Sequence, residues 1–333
     1  MKSLHTIGII GSGAWGTALA QAMHGAGKKV LMFGRNHEVV SDINNNHKNT
    51  RYLPDAVLDK NIKATSDDAP VKTCDALLLV VPAQYIRQTV ERIAAHVDTT
   101  TPIVICAKGI EGQTNKLMAD VVKESLPNNP IAVLSGPTFA AEVVRGLPTA
   151  VTIAASSIEN AKHLCEQMAS RTFRPYASND VIGVEIAGAL KNVIAIGCGI
   201  VAGKGLGENA RTALMTRGLR EITRMAVVLG AQPETLMGLS GLGDLVLTCG
   251  STQSRNMSLG FALGRGEKLA DILKQRVSVT EGITTSLAAQ QLGKIVNAET
   301  PIIDAVVSVL HQGADINTVM ERLLSRPLTT EHR

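Results

Sequence analysis

The lysine with the most unusual setting in this chain is Lys191, which sits inside an apolar stretch, residues 181–202, with almost no other charge in the ten residues on either side of it. Burying an ammonium without a partner costs several kcal/mol, so such a lysine must either face a cleft or meet a carboxylate. Partial removal from water lowers a lysine pKa toward the range useful for moving protons. At helical spacing its own face carries Ala187, Gly188 and Ala195, small neighbours that leave room beside it. Asp244, in Gly241-Leu242-Gly243-Asp244, is a candidate partner. The competing reading is a lysine that snorkels, with its head in bulk water.

A second chemistry is written near the N-terminus. The β-branched run 6–10 leads directly into Gly11-Ser12-Gly13-Ala14-Trp15-Gly16 and then a helix-forming stretch. This is GxGxxG in the strand–turn–helix context that binds dinucleotides. Gly11 permits the tight turn, Gly13 lets backbone approach a pyrophosphate, and Gly16 lets the helix pack on the strand. The helix start then offers free N–H groups and a partial positive charge to the phosphates. Where NAD-selective sites place an acid at the end of the second strand, this chain has Arg35. A guanidinium there can pair with a 2′-phosphate, which favours NADPH over NADH. The alternative is a solvated arginine with NAD bound without an acidic clamp.

Elements must position these groups. In the first half, short apolar runs at 6–10, 29–33, 75–81, 102–107, 130–134 and 150–153 alternate with helical segments. That alternation predicts an α/β fold: a doubly wound, mainly parallel Rossmann sheet with helices on both faces. After about Ser178 the strand signals fade into helices separated by glycine-rich turns, which predicts an all-α C-terminal domain. The expected division is residues 1–179 for the nucleotide domain and 180–333 for a helical substrate domain. Ligands of open α/β sheets lie beyond the carboxyl ends of the strands. Lys108 follows one such run directly, and Gly136, Thr138 and Ala140 follow another. Gln253-Ser254-Arg255-Asn256 combines a forked cation with small hydrogen-bonding side chains, the chemistry of a phosphate or carboxylate clamp.

Composition narrows the function classes. The 333 residues are 45% hydrophobic and 19% charged, normal for a globular chain. The formal charge is only +4 and eight aromatic residues are present, without a basic cluster interleaved among them, which argues against nucleic acid. Five scattered cysteines without a CxxC pair read as reduced thiols in a cytoplasmic protein. The segment 181–203 is long enough to span a bilayer, but Glu185, Lys191 and Asn192 near its middle make it a buried core helix instead. No phosphate-transfer loop or zinc-ligand spacing is found, so no metal is expected.

Taken together, GSGAWGTALA, CAKGIE, LSGPTFAAEV, GLPTAV, ALKNVIAIG, GENARTALMTRG, GLGDLVLTC and QSRN resemble, in this order, the bacterial NAD(P)-dependent glycerol-3-phosphate dehydrogenases. The resemblance implies reversible reduction of dihydroxyacetone phosphate to sn-glycerol 3-phosphate, feeding phospholipid synthesis, with NADPH or NADH as donor. It implies cofactor contacts from Gly11, Ser12, Gly13, Ala14, Trp15, Gly16, Arg35, Lys108, Ala140, Arg255, Val279 and Glu281. It implies a substrate site among Lys108, Gly136, Thr138, Lys191, Asn192, Asp244, Thr248, Ser254, Arg255 and Asn256. Lys191 is carried over as the proton-transfer group, with Lys108 adding positive charge near the developing oxyanion and Asp244 orienting or tuning Lys191. A homodimer is also implied, with the helices expected over 283–324 contributing to its interface. Two rival readings are a related hydroxyacid dehydrogenase with the same lysine, and an NADPH sensor without turnover in which Lys191 is structural.

Overall fold

The computed structural model describes residues 2–276, 279–328 and 330–331. Its strands are β1 (Thr6–Ile10), β2 (Lys29–Phe33), β3 (Lys48–Asn49), β4 (Leu53–Val57), β5 (Lys63–Thr65), β6 (Ala76–Leu79), β7 (Ile103–Ile105), β8 (Ile131–Ser135), β9 (Thr149–Ala155) and β10 (Phe173–Ser178). Eight of them form one sheet in the order β10-β9-β8-β7-β6-β1-β2-β5, while β3 and β4 pair as a separate hairpin. Chain order reverses on either side of β1, which pairs in parallel with both β2 and β6. This is the switch point at which doubly wound sheets open a ligand crevice.

The strands read as continuous apolar runs because both faces are covered. Ile7, Ile9, Leu78 and Val104 pack on one side with helices Ala14–Gly25, His37–Asn46 and Ile158–Met168. Ile10, Leu77, Leu79, Ile103 and Ile105 pack on the other with Ile86–Ile93 and Met118–Ser125.

The sheet departs from a fully parallel one at β9, which runs antiparallel to β8. The link between them holds only the short helix Ala140–Val143, too short to carry the chain back across the sheet. The eleven-residue helix Ile158–Met168 does carry it back, so β10 is parallel to β9.

Beyond β10 the chain is helical, around a second core built on Val181–Gly203. This helix is long and apolar enough to cross a membrane, but 89% of its apolar window is buried inside the protein. Asp180 caps it, its Oδ1 accepting from Gly183 N at 2.8 Å and its Oδ2 from Gln232 N at 2.9 Å. Helix Arg255–Gly264 lies directly against it, because glycines at four-residue spacing remove the side chains in between. A Cβ at Gly199 would stand 2.2 Å from Met257 O, and one at Gly260 would stand 2.0 Å from Ile196 O. That contact fixes where the start of helix Arg255–Gly264 meets Asn192. All five cysteines are buried with free thiols.

Candidate active site

The carboxyl ends of β1, β7 and β8 lead into Gly11, Lys108 and Gly136, so all three lie at one edge of the sheet. Gly11 has φ +124°, and a Cβ on it would meet Val80 backbone at 2.9 Å, so the turn accepts glycine alone. A Cβ on Gly16 would stand 2.0 Å from Gly11 O. At Gly13, by contrast, no other protein atom lies within 4 Å of the Cβ position. Gly13 is also the N-cap of helix Ala14–Gly25 and supplies no side-chain cap, so the first N–H groups face that open side. Bare backbone, an uncapped helix start and open space fit the pyrophosphate of a dinucleotide. Ser12, Ala14 and Trp15 are partly buried around this loop, and the buried Trp15 Nε1 has no protein partner.

Arg35 follows β2, is exposed, and holds its guanidinium 5.6 Å from the Tyr85 ring centroid. Tyr85 belongs to a cleft of about 140 Å³ lined by Pro82, Gln84, Val279, Glu281 and Thr284. Of these, Val279 and Glu281 were among the expected cofactor contacts. Tyr85 and Thr284 were not, although their cleft begins at Pro82, directly after a strand run legible in the sequence. Burial raises the Glu281 carboxyl above its ordinary range, against the opposing charge of Arg255. Ala140 opens the short helix Ala140–Val143, packed beside the first helix.

Helix Val181–Gly203 passes over the end of β8, where a Cβ on Gly188 would stand 2.8 Å from Ser135 Oγ and 3.5 Å from Lys108 Cγ. Lys191, three residues on, thereby comes beside Lys108. A π-helical turn, Leu239–Gly243, ends at Asp244, the first residue of helix Asp244–Gly250. Asp244 is 1% exposed and pairs with both lysines: directly with Lys191, and with Lys108 Nζ at 2.7 Å. Lys191 Nζ also donates to Thr248 Oγ1 at 2.8 Å, and Lys108 Nζ to Gly136 O at 3.2 Å. Burial pushes the Lys191 ammonium down to about 8; the Asp244 charge pulls it up and the Lys108 charge lowers it further.

Asn256 joins this group through its amide, Nδ2 donating to Asn192 Oδ1 at 2.9 Å and Oδ1 accepting from Gly282 N at 3.0 Å. Ser254 caps helix Arg255–Gly264 by accepting from Met257 N at 3.2 Å. Arg255 is exposed and donates from Nη1 to Val279 O at 2.8 Å. Thr138 Oγ1 contacts Gly136 O at 3.4 Å. The structure thus brings Lys108, Lys191, Asp244, Thr248 and Gly136 into one cluster, with Asn192 and Asn256 paired beside it across two packed helices, while Val279 lines the cleft and Arg35 stacks on its Tyr85.

The N-terminal model of the NAD-dependent glycerol-3-phosphate dehydrogenases matches residues 6–161, and the C-terminal model matches residues 180–321. A glycerol-3-phosphate dehydrogenase [NAD(P)+] of Caulobacter vibrioides is 50% identical over 325 residues, covering 98% of each chain. One from Maricaulis maris is 49% identical over 331 residues, covering 99% of each. The crystal structure of a glycerol-3-phosphate dehydrogenase from Coxiella burnetii superposes with a TM-score of 0.93 at 38% identity, over 97% of this chain and 99% of that one.

Proposed function

The chain belongs to the NAD-dependent glycerol-3-phosphate dehydrogenase family, and from that premise we propose that it reduces dihydroxyacetone phosphate to sn-glycerol 3-phosphate with Lys191 as proton donor. When bound, the reduced nicotinamide supplies the hydride. Lys191, as ammonium, gives a proton to the oxygen that becomes the alcohol; in the oxidative direction the neutral amine takes it back. Asp244 is the positioning residue that holds Lys191 and Lys108 on one carboxylate. Lys108 adds positive charge where the carbonyl oxygen becomes negative.

The observation that carries this reading is the shared carboxylate: two ammonium groups, one buried and one half-buried, on a single acid leave a net positive charge at the sheet edge. That surplus suits an anionic substrate and a developing alkoxide. Arg255 and Asn256 are the residues offered to the phosphate, with Asn192 and Thr248 as further polar contacts. Gly11, Ser12, Gly13, Ala14, Trp15 and Gly16 cradle the pyrophosphate, and Arg35, Ala140, Val279 and Glu281 take the rest of the cofactor. Residues 1–179 then form the cofactor domain and 180–333 the substrate domain, a division supported by the gap between the two matched segments. The reading includes a cytoplasmic homodimer, with the exposed Ile295 and Leu324 of the C-terminal helices available to its interface.

The deciding experiment follows oxidation of NADPH and of NADH with dihydroxyacetone phosphate and with small 2-oxoacids, using the full chain and Lys191→Ala. Turnover confined to the phosphorylated ketone and lost in the variant is the expected result. Preference for a 2-oxoacid moves the assignment to a hydroxyacid dehydrogenase, and NADPH binding with no turnover makes it a sensor.

A further inference from the structure

We infer that Asn49 and Thr17 form a relay that aims the glycine loop at the pyrophosphate; the inference rests on the cradle proposed above. Asn49 lies on β3, in the hairpin that stands apart from the main sheet, and is 1% exposed. The pairing of β3 with β4 slips at Lys48 and Asn49, the kind of irregularity that re-aims a side chain beside a functional site. Asn49 Nδ2 donates to Ser12 O at 2.9 Å and to Thr17 Oγ1 at 2.7 Å. Thr17 Oγ1 in turn donates to Gly13 O at 2.9 Å.

The directions of these bonds are fixed by inventory. A carbonyl oxygen only accepts, so the contact with Ser12 O sets which end of the Asn49 amide faces the loop. The Thr17 hydroxyl has one proton, used on Gly13 O, so it must accept from Asn49. Two side chains therefore hold two successive carbonyls of the loop. In a planar trans peptide the N–H of the next residue points opposite to the C=O. Holding Ser12 O and Gly13 O inward turns the N–H groups of Gly13 and Ala14 outward, to the side where Gly13 leaves open space. Asn49 Oδ1, meanwhile, is buried and accepts no hydrogen bond. An orphaned buried acceptor is unfavourable, so this amide is retained for its two donors.

The test compares Thr17→Val, which keeps the shape and removes the hydroxyl, with Thr17→Ser, which keeps the hydroxyl, and adds Asn49→Leu. We expect Thr17→Val and Asn49→Leu to raise the Kd and KM for NADPH about tenfold, the worth of one or two hydrogen bonds. The KM for dihydroxyacetone phosphate and kcat should change little, and Thr17→Ser should bind NADPH like the parent chain. Should Asn49→Leu fail to fold, the Thr17 pair decides alone. An unchanged NADPH Kd in Thr17→Val, or Thr17→Ser as impaired as Thr17→Val, overturns the relay. Gly13→Val separates the two levels: NADPH binding that survives it overturns the cradle and the relay with it. Binding lost there but normal in Thr17→Val overturns the relay alone.

Discussion

Lys191 and Glu221 are both ionisable side chains sealed in the helical half of the molecule, at 7% and 2% exposure, and burial moves both to a pKa of about 8. Their partners differ in kind. Glu221 accepts from Ile302 N at 2.8 Å and Ile303 N at 3.3 Å, the first N–H groups of helix Pro301–Gln312, whose N-cap Thr300 supplies no side-chain bond. Its capacity is spent on backbone that would otherwise be orphaned. Lys191 instead meets side chains, and its carboxylate partner already serves a second cation. A displaced pKa inside a core is therefore no sign of chemistry by itself. Surplus charge, side-chain partners and a place at the carboxyl edge of the sheet are what separate the two.

The largest expected effect falls on Lys191. Replacing it by Met should lower kcat about 10³-fold, within the usual range for removing a general acid. The Kd for NADPH, measured by fluorescence titration, should stay near that of the parent chain. Comparable activity in the Met variant would erase the distinction between the two buried groups.

Asp244→Asn comes next, with a loss of about 10²-fold in kcat/KM expected for a group that positions and tunes the acid. It also has a directional signature. The carboxylate raises the Lys191 pKa and Lys108 lowers it, so removing the carboxylate should shift the alkaline limb of the reduction profile to lower pH. A profile that loses amplitude without moving would make Asp244 a packing residue.

The parent chain supplies the third test. Reduction needs the ammonium, so its rate should fall as pH rises through about 8, whereas oxidation needs the free amine and should rise over the same interval. Initial rates in both directions, at saturating cofactor and substrate, check the crossing. Two profiles that move together with pH would place the proton elsewhere.

What the sequence disclosed follows the range of the forces involved. The glycine turn was readable because its requirements lie within six residues, and Lys191 because a charge in an apolar helix is costly wherever the chain goes. Asp244 was visible only as a candidate, since its pairing with Lys191 spans 53 positions and depends on the helix packing. The edge strands β5 and β10 escaped notice: β5 has three residues, and β10 carries Arg174 and Pro175 in place of an apolar run. The reversal at β9 was hidden because strand direction is set by the connection, here a short helix. Asn49 gave no local signal at all, because its meaning lies in a carbonyl 37 positions away and a hydroxyl 32 positions away. Glu221 was equally silent, meeting its partners across 81 residues.

The smallest expected effect is on Glu221, and it is one of stability alone. Its folded pKa of about 8 lies above the ordinary carboxyl value, so the folded chain holds a proton that the unfolded chain releases between about pH 4.5 and 8. The stability linked to that proton is fully present below about 4.5, falls across the interval, and is gone above about 8. Glu221→Gln keeps an acceptor for Ile302 N and removes the titration, so its melting temperature should decline less than the parent's between pH 5 and 8. Glu221→Leu leaves both N–H groups without a partner and should cost about 1–3 kcal/mol near pH 5, a cost that shrinks toward pH 8 as the parent loses its own proton-linked stability. Both variants should retain the parent kcat, because nothing at the sheet edge depends on this carboxyl. A Gln variant that melts with the same pH slope would assign the titration to another group, and one that loses turnover would join the two regions that the comparison separates.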